Sequence, residues 1–224
     1  MSGLKKYLQE TQTHSVLRVP KTVHGVEIHI INPGKFKHPD WNWLVSHLRA
    51  TVKSGGMRHL KGIKIGDFSS LNDHNYKSYY KDGMIYLSNN VGFIEEFVDN
   101  FFHELAHSYE KVFYDRIYGD GFLEKEFLNK RNKLKNVITM YEGGMAPPVD
   151  FTEINYTPAL DEYLVSTIGY DKLWQYCSGI FSNPYAATSL REYFASGFEK
   201  IARGDAVSLD RLCPVLYNKI KQFF

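Results

Sequence analysis

Ile94, Phe97, Val98, Phe101, Leu105, Tyr109, Val112 and Ile117 recur at the i, i+3, i+4 spacing of an amphipathic helix. This periodicity predicts one helix from about Phe93 to Tyr118, entered through the Asn89-Asn90-Val91-Gly92 turn and closed by Gly119. It is the longest helix signal in the chain. With 224 residues, 43% hydrophobic and 15% aromatic, the chain can fill a core around such a helix, and a disordered or low-complexity protein is excluded.

Around that helix the pattern changes with position. The β-branched runs Val16–Val19 and Val26–Ile31, ended by Pro20 and by Asn32-Pro33-Gly34, read as strands, as do Ile63–Phe68 and Gly83–Leu87. Pro39–Val52 has helical spacing and stops before Gly55-Gly56. Beyond the long helix come a charged stretch, Leu123–Lys135, and a Gly-Pro-rich loop, Gly143–Pro148. Three helical segments follow, near Pro158–Ile168, Ser189–Ala202 and Ser208–Phe223. Strands first and helices afterwards predict an α+β domain, with a small N-terminal sheet and a helical C-terminal half. No repeat or linker divides the chain, so residues 1–224 are expected to form one domain.

Within the long helix stands His103-Glu104-Leu105-Ala106-His107. Histidines at i and i+4 lie one turn apart on one helix face, so both imidazoles can reach a single metal ion, and neutral imidazole suits zinc. Glu104, beside the first histidine, is placed to act as general base on a metal-bound water. His107 is the last of nine histidines, and Glu110 and Phe113 stand where an extended motif would have Gly and a third His. A downstream carboxylate is therefore the expected third ligand, with an upstream histidine the less usual choice. The candidates are Glu192, beside the packed stripe Leu190, Phe194, Gly197, Phe198 and Ile201, then Glu162, then Glu199. Asp99 and Glu110 lie one turn before His103 and three residues after His107, where a carboxylate could accept the outer N–H of a metal-bound histidine, but the preferred reading of each is a solvated helix charge.

The segment His103–His107, taken with Tyr185-Ala-Ala-Thr-Ser-Leu-Arg-Glu192-Tyr-Phe-Ala-Ser-Gly-Phe198, resembles the catalytic domain of anthrax lethal factor and, more distantly, the Pro-Pro endopeptidases. The resemblance implies a zincin fold and a zinc metallopeptidase that hydrolyses peptide bonds. It implies one Zn2+ held by His103, His107 and Glu192, with Glu104 as general base. It also implies that Tyr185, seven residues before Glu192, supports the oxyanion. The resemblance rests on the two motif segments. The separation of His107 from Glu192 exceeds the family's, and Ser196 stands where lethal factor has a Glu. The extra length, around 121–179, is expected to form an enlarged insert or lid.

A peptide or protein substrate is expected to lie extended along a sheet edge, for which Gly83–Leu87 is the candidate strand. A net charge of +2 gives no basis for a nucleic-acid partner, and no run reaches the roughly 18–20 apolar residues of a membrane span. Met1–Ser15 has lysines but no apolar signal segment, and Cys177 and Cys213 make no disulfide framework. The chain as encoded is expected to be a reduced, cytoplasmic monomer, with signal-independent export compatible. The rival from another class is a zincin-fold interaction or effector module without peptidase activity. The intact Glu104 argues against it, since metal binding alone does not need that residue.

Overall fold

The computed structural model of the chain describes residues 21–72 and 76–224. The expected strand Val16–Val19 lies outside the described residues. The chain packs as two compact units, the first ending at Ser108 and the second covering Tyr109–Phe224.

The first unit carries a five-stranded sheet in the order β1-β2-β3-β5-β4. Its strands are β1 (Lys21–Val23), β2 (Val26–Ile30), β3 (Gly62–Gly66), β4 (Ser78–Lys81) and β5 (Met84–Ser88). Helix α1 (His38–Thr51) connects β2 to β3, and a short helix α2 (Ser69–Asn72) follows β3. In α1, Pro39 opens the first turn and Asp40 Oδ2 accepts from the Lys37 N–H at 2.7 Å. Strand β2 alternates buried Val26, Ile28 and Ile30 with exposed Glu27 and His29. Its partners Ile63 and Ile65 are buried too, as are Ile85 and Leu87 on β5, so one sheet face is core. The pairs β2–β3 and β3–β5 are parallel, whereas β1–β2 and β4–β5 are antiparallel. The fold is thus mixed α and β, with one small sheet and several helices, as expected of an α+β chain. The sheet is nevertheless not a succession of hairpins.

Helix α3 (Glu95–Tyr118) is the helix the periodicity predicts. Glu96 Oε1 accepts from the N–H groups of Gly92 (2.7 Å) and Phe93 (3.0 Å), satisfying donors at its entry, and Glu95 and Glu96 favour the positive end of its dipole. Phe97, Val98, Phe101, Phe102 and Leu105 are buried, with Phe97 in ring contact with Trp41 of α1 at 5.3 Å. Phe113 leaves helical geometry (φ −122°, ψ 29°) and interrupts the helix near its end.

In the second unit the charged stretch Leu123–Lys135 belongs to a 20-residue helix, α4 (Phe122–Tyr141), whose Leu123, Phe127, Leu134 and Ile138 are buried. The segment 121–179 therefore supplies core through this helix. Helix α5 (Pro158–Glu162) runs directly into a π-helical stretch, Tyr163–Ile168, and α6 (Tyr170–Cys177), which sequence periodicity did not reveal, follows. Helix α7 (Leu190–Ala202) matches its expected span. The expected last helix is instead two, α8 (Ala206–Leu212) and α9 (Pro214–Ile220), followed by a 3-10 turn, Lys221–Phe223. Pro214 lacks the N–H an interior helical residue needs, and serves as a helix start instead. Tyr109, Phe198 and Phe223 form a ring cluster in which Tyr109 and Phe223 stack with centroids 4.7 Å apart and Phe198 lies tilted against both. Cys177 and Cys213 are free and buried.

One expectation needs correction at this level. Strand β5, which holds residues 84–87 of the anticipated substrate edge Gly83–Leu87, pairs with β3 on one side and β4 on the other. It is an inner strand. The outer strand on that side of the described sheet is β4, Ser78–Lys81.

Candidate metal centre

His103 and His107 project from the same face of α3, as i, i+4 geometry requires. Their Nε2 atoms lie 3.1 Å apart, with the rings nearly perpendicular at 82°. Zn–N bonds of about 2.0–2.1 Å at a tetrahedral angle hold two ligand nitrogens about 3.3–3.4 Å apart, so the pair is close to the edge length of a zinc tetrahedron. Both imidazoles are half-buried. His103, His107 and Glu192 each offer one ligand atom, and these atoms lie within 4.8 Å of one another. This group could hold a metal ion, and it is the one such group of three among the described residues. Two imidazoles and a carboxylate are a donor set of the kind that holds divalent metal ions, zinc among them.

Glu192 owes its place to the start of α7. Ser189 takes an extended conformation as N-cap, and its Oγ accepts from the Glu192 N–H at 3.1 Å, which sets Glu192 in the first turn. Just upstream, Tyr185 opens a 3-10 turn, Tyr185–Ala187. Asn183 Oδ1 accepts from the Ala186 N–H at 2.8 Å, and the Tyr185 carbonyl accepts from the Thr188 N–H (3.0 Å) and Oγ1–H (2.8 Å). The Tyr185 side chain is 48% exposed. Of the rival carboxylates, Glu162 is exposed at the end of α5 and Glu199 is half-buried on α7, and neither joins the histidines in the group.

Beneath this segment lies Arg131 of α4, fully buried at 0% exposure. Its guanidinium donates to the carbonyls of Ala187 (2.8 Å), Thr188 (2.6 Å) and Glu153, and it stacks on Phe127 at 4.8 Å. One buried cation thus ties the stretch between Tyr185 and Glu192 to the helix below it.

Glu104 is 5% exposed, and its Oε1 accepts from Ser78 Oγ at 2.7 Å. Glu110 departs from the reading given to it in the sequence. It is not a solvated charge but 5% exposed, accepting from Tyr118 OH through Oε1 and from Arg191 Nε through Oε2 at 3.1 Å. Burial, reinforced by Glu110, pushes the Tyr118 phenol well above its usual range. The Arg191 side chain is largely exposed, and the partial desolvation of its guanidinium against Glu110 works against the charge, but the Glu110 carboxylate outweighs this and holds the guanidinium more firmly protonated.

Ser78, Arg131, Glu110 and Arg191 are the participants that motif reasoning overlooked or misread. Only the Ser-x-x-Glu pattern at Ser189–Glu192, a helix-start signal, was there to mark the second motif's geometry. No protein-family model matches the chain, and no curated protein or solved structure matches it. Among the described residues, no helix is long and apolar enough to cross a membrane.

Proposed function

We propose that the chain is a zinc-dependent endopeptidase of the zincin class, holding one Zn2+ on His103, His107 and Glu192. The observation that carries this reading is the approach of those three ligand atoms within 4.8 Å of one another, with the buried Glu104 next to His103. A zinc ion there supplies Lewis acidity, which polarises a carbonyl oxygen and makes a water acidic enough to attack near neutral pH. The remaining work falls to the chain. Glu104 takes a proton from the attacking water as its oxygen bonds to the carbonyl carbon. It then delivers that proton to the departing amide nitrogen as the C–N bond breaks, leaving a carboxylate and an amine. The phenol of Tyr185, half-exposed on its 3-10 turn, donates to the oxygen on which negative charge develops. Strand β4, outermost on its side of the sheet among the described residues, is a better candidate than the inner β5 for pairing with an extended substrate.

The test is cleavage of a peptide library by the zinc-loaded full chain, with and without chelator, alongside Glu104→Gln. Cleavage should require metal, and Glu104→Gln should abolish it while binding one zinc. Proteolysis retained by metal-replete Glu104→Gln would overturn the mechanism. Zinc binding without any cleavage would leave a silent interaction module as the better reading. For the ligands, zinc stoichiometry should fall in Glu192→Ala and stay at one in Glu162→Ala.

A further inference from the structure

Ser78 belongs to the outer strand β4 and stands directly opposite Leu87 of β5. Directly opposed residues share a sheet face, so Ser78 lies on the buried side with Leu87, while its neighbour Tyr79 stacks on Tyr86 on the other side at 4.5 Å. From that side the Ser78 hydroxyl reaches α3 and donates to Glu104 Oε1 at 2.7 Å.

We infer that Ser78 is a positioning residue for the general base, an inference that rests on the endopeptidase reading of the same centre. A carboxylate bears two oxygens and turns readily about its last side-chain bond, so a buried Glu needs a donor to fix its plane. Ser78 supplies that donor at Oε1 and leaves Oε2 to receive the proton of the attacking water. A hydroxyl–carboxylate bond is charge-assisted and, at 5% exposure of Glu104, poorly replaced by solvent. The donor's place matters as much as its chemistry. It is carried by the strand that is outermost on this side of the sheet among the described residues, so the element proposed to receive the substrate also orients the base.

Serine, threonine and valine at position 78 separate this role from packing, because threonine and valine share a shape and differ in the hydroxyl. With a peptide identified from the library and the zinc-loaded full chain, Ser78→Thr should keep kcat within about twofold of the unaltered protein. Ser78→Val and Ser78→Ala should lose about tenfold in kcat, with KM and zinc stoichiometry unchanged. Equal kcat in the Thr and Val variants would overturn the inference, whether both are active or both are impaired. So would a loss that appears in KM alone. An unaltered chain that binds zinc and cleaves nothing would overturn the endopeptidase reading, and the positioning role with it. An active chain indifferent to Ser78→Val would overturn only the latter.

Discussion

Glu110 Oε2 and Arg191 Nε meet at 3.1 Å, and each stands beside a candidate zinc ligand in sequence: Glu110 three residues after His107, Arg191 immediately before Glu192. The Glu110 side chain is almost wholly buried while that of Arg191 is largely exposed, so the pair anchors a flexible cation on a fixed carboxylate. Its effect is to restrain the first turn of α7, where Glu192 lies. Removing groups that orient metal ligands commonly weakens metal affinity by about 10- to 100-fold. Arg191→Met is therefore expected to weaken zinc binding by about tenfold, measured by competition with a chromogenic chelator. Tyr118→Phe, which removes only a donor to the other Glu110 oxygen, should have a smaller effect. Wild-type affinity in Arg191→Met would show that the ion pair does not restrain Glu192.

Arg131 should matter to stability more than its position in a charged stretch suggests. Three backbone carbonyls depend on its guanidinium, and a buried acceptor left without a donor costs about 1–3 kcal/mol. Arg131→Met should lower unfolding free energy by about 3 kcal/mol or more, seen as a fall in urea midpoint at unchanged m-value. Arg131→Lys should recover only part of this, because an ammonium cannot reproduce the planar fork that reaches several carbonyls.

The sequence was most legible where local pattern and local structure coincide. The stripe from Ile94 to Ile117 defined α3, and i, i+4 spacing alone put His103 and His107 on one face. Strand β4 was not legible, because Ser78-Tyr-Tyr-Lys81 has no apolar alternation: its four residues are half-buried or exposed at the sheet's edge. With β4 unseen, β5 looked like the edge and Ser78 had no reason to be noticed. Arg131 was hidden for the opposite reason. Its partners are carbonyls at 153, 187 and 188, and no side-chain pattern records a long-range bond to backbone. Glu110 looked like an ordinary helix charge because no local pattern records its partners, Tyr118 and Arg191, the second of them eighty-one positions away. Motifs thus revealed ligands one turn apart, whereas the groups that hold those ligands come from contacts distant in sequence.

Gly197, inside α7, tests how tightly that helix is seated. A Cβ there would lie 2.5 Å from Ile220 Cδ1, 2.8 Å from Leu216 Cδ2 and 3.0 Å from Leu216 Cγ. Alanine would gain about 1 kcal/mol in helix propensity. Leu216 and Ile220 are both fully buried, however, and overpacking such a core costs about 1–3 kcal/mol. Gly197→Ala should therefore be destabilising on balance, lowering the thermal midpoint by about 2–4 °C. The double variant Gly197→Ala, Leu216→Ala should be more stable than the sum of the single effects implies. A raised midpoint in Gly197→Ala would mean that α9 can move away from α7 at little cost.

His59 carries a pH dependence whose sign follows from its bonding. Ser108 Oγ donates its proton to the Leu105 carbonyl at 2.6 Å, so His59 Nε2, 2.7 Å from that oxygen, must be the donor in their contact. Burial holds the His59 pKa below its ordinary 6.5. The folded chain thus binds the His59 proton less readily than the unfolded chain. Its contribution to stability is complete above about pH 6.5 and is lost as pH falls toward the depressed folded value. Chelator-treated protein, in which ligand protonation is uncoupled from metal release, should lose stability to urea below about pH 6.5. His59→Gln keeps a side-chain N–H donor but cannot titrate, and it should flatten that part of the profile. Parallel profiles for the two proteins would show that other groups account for the loss.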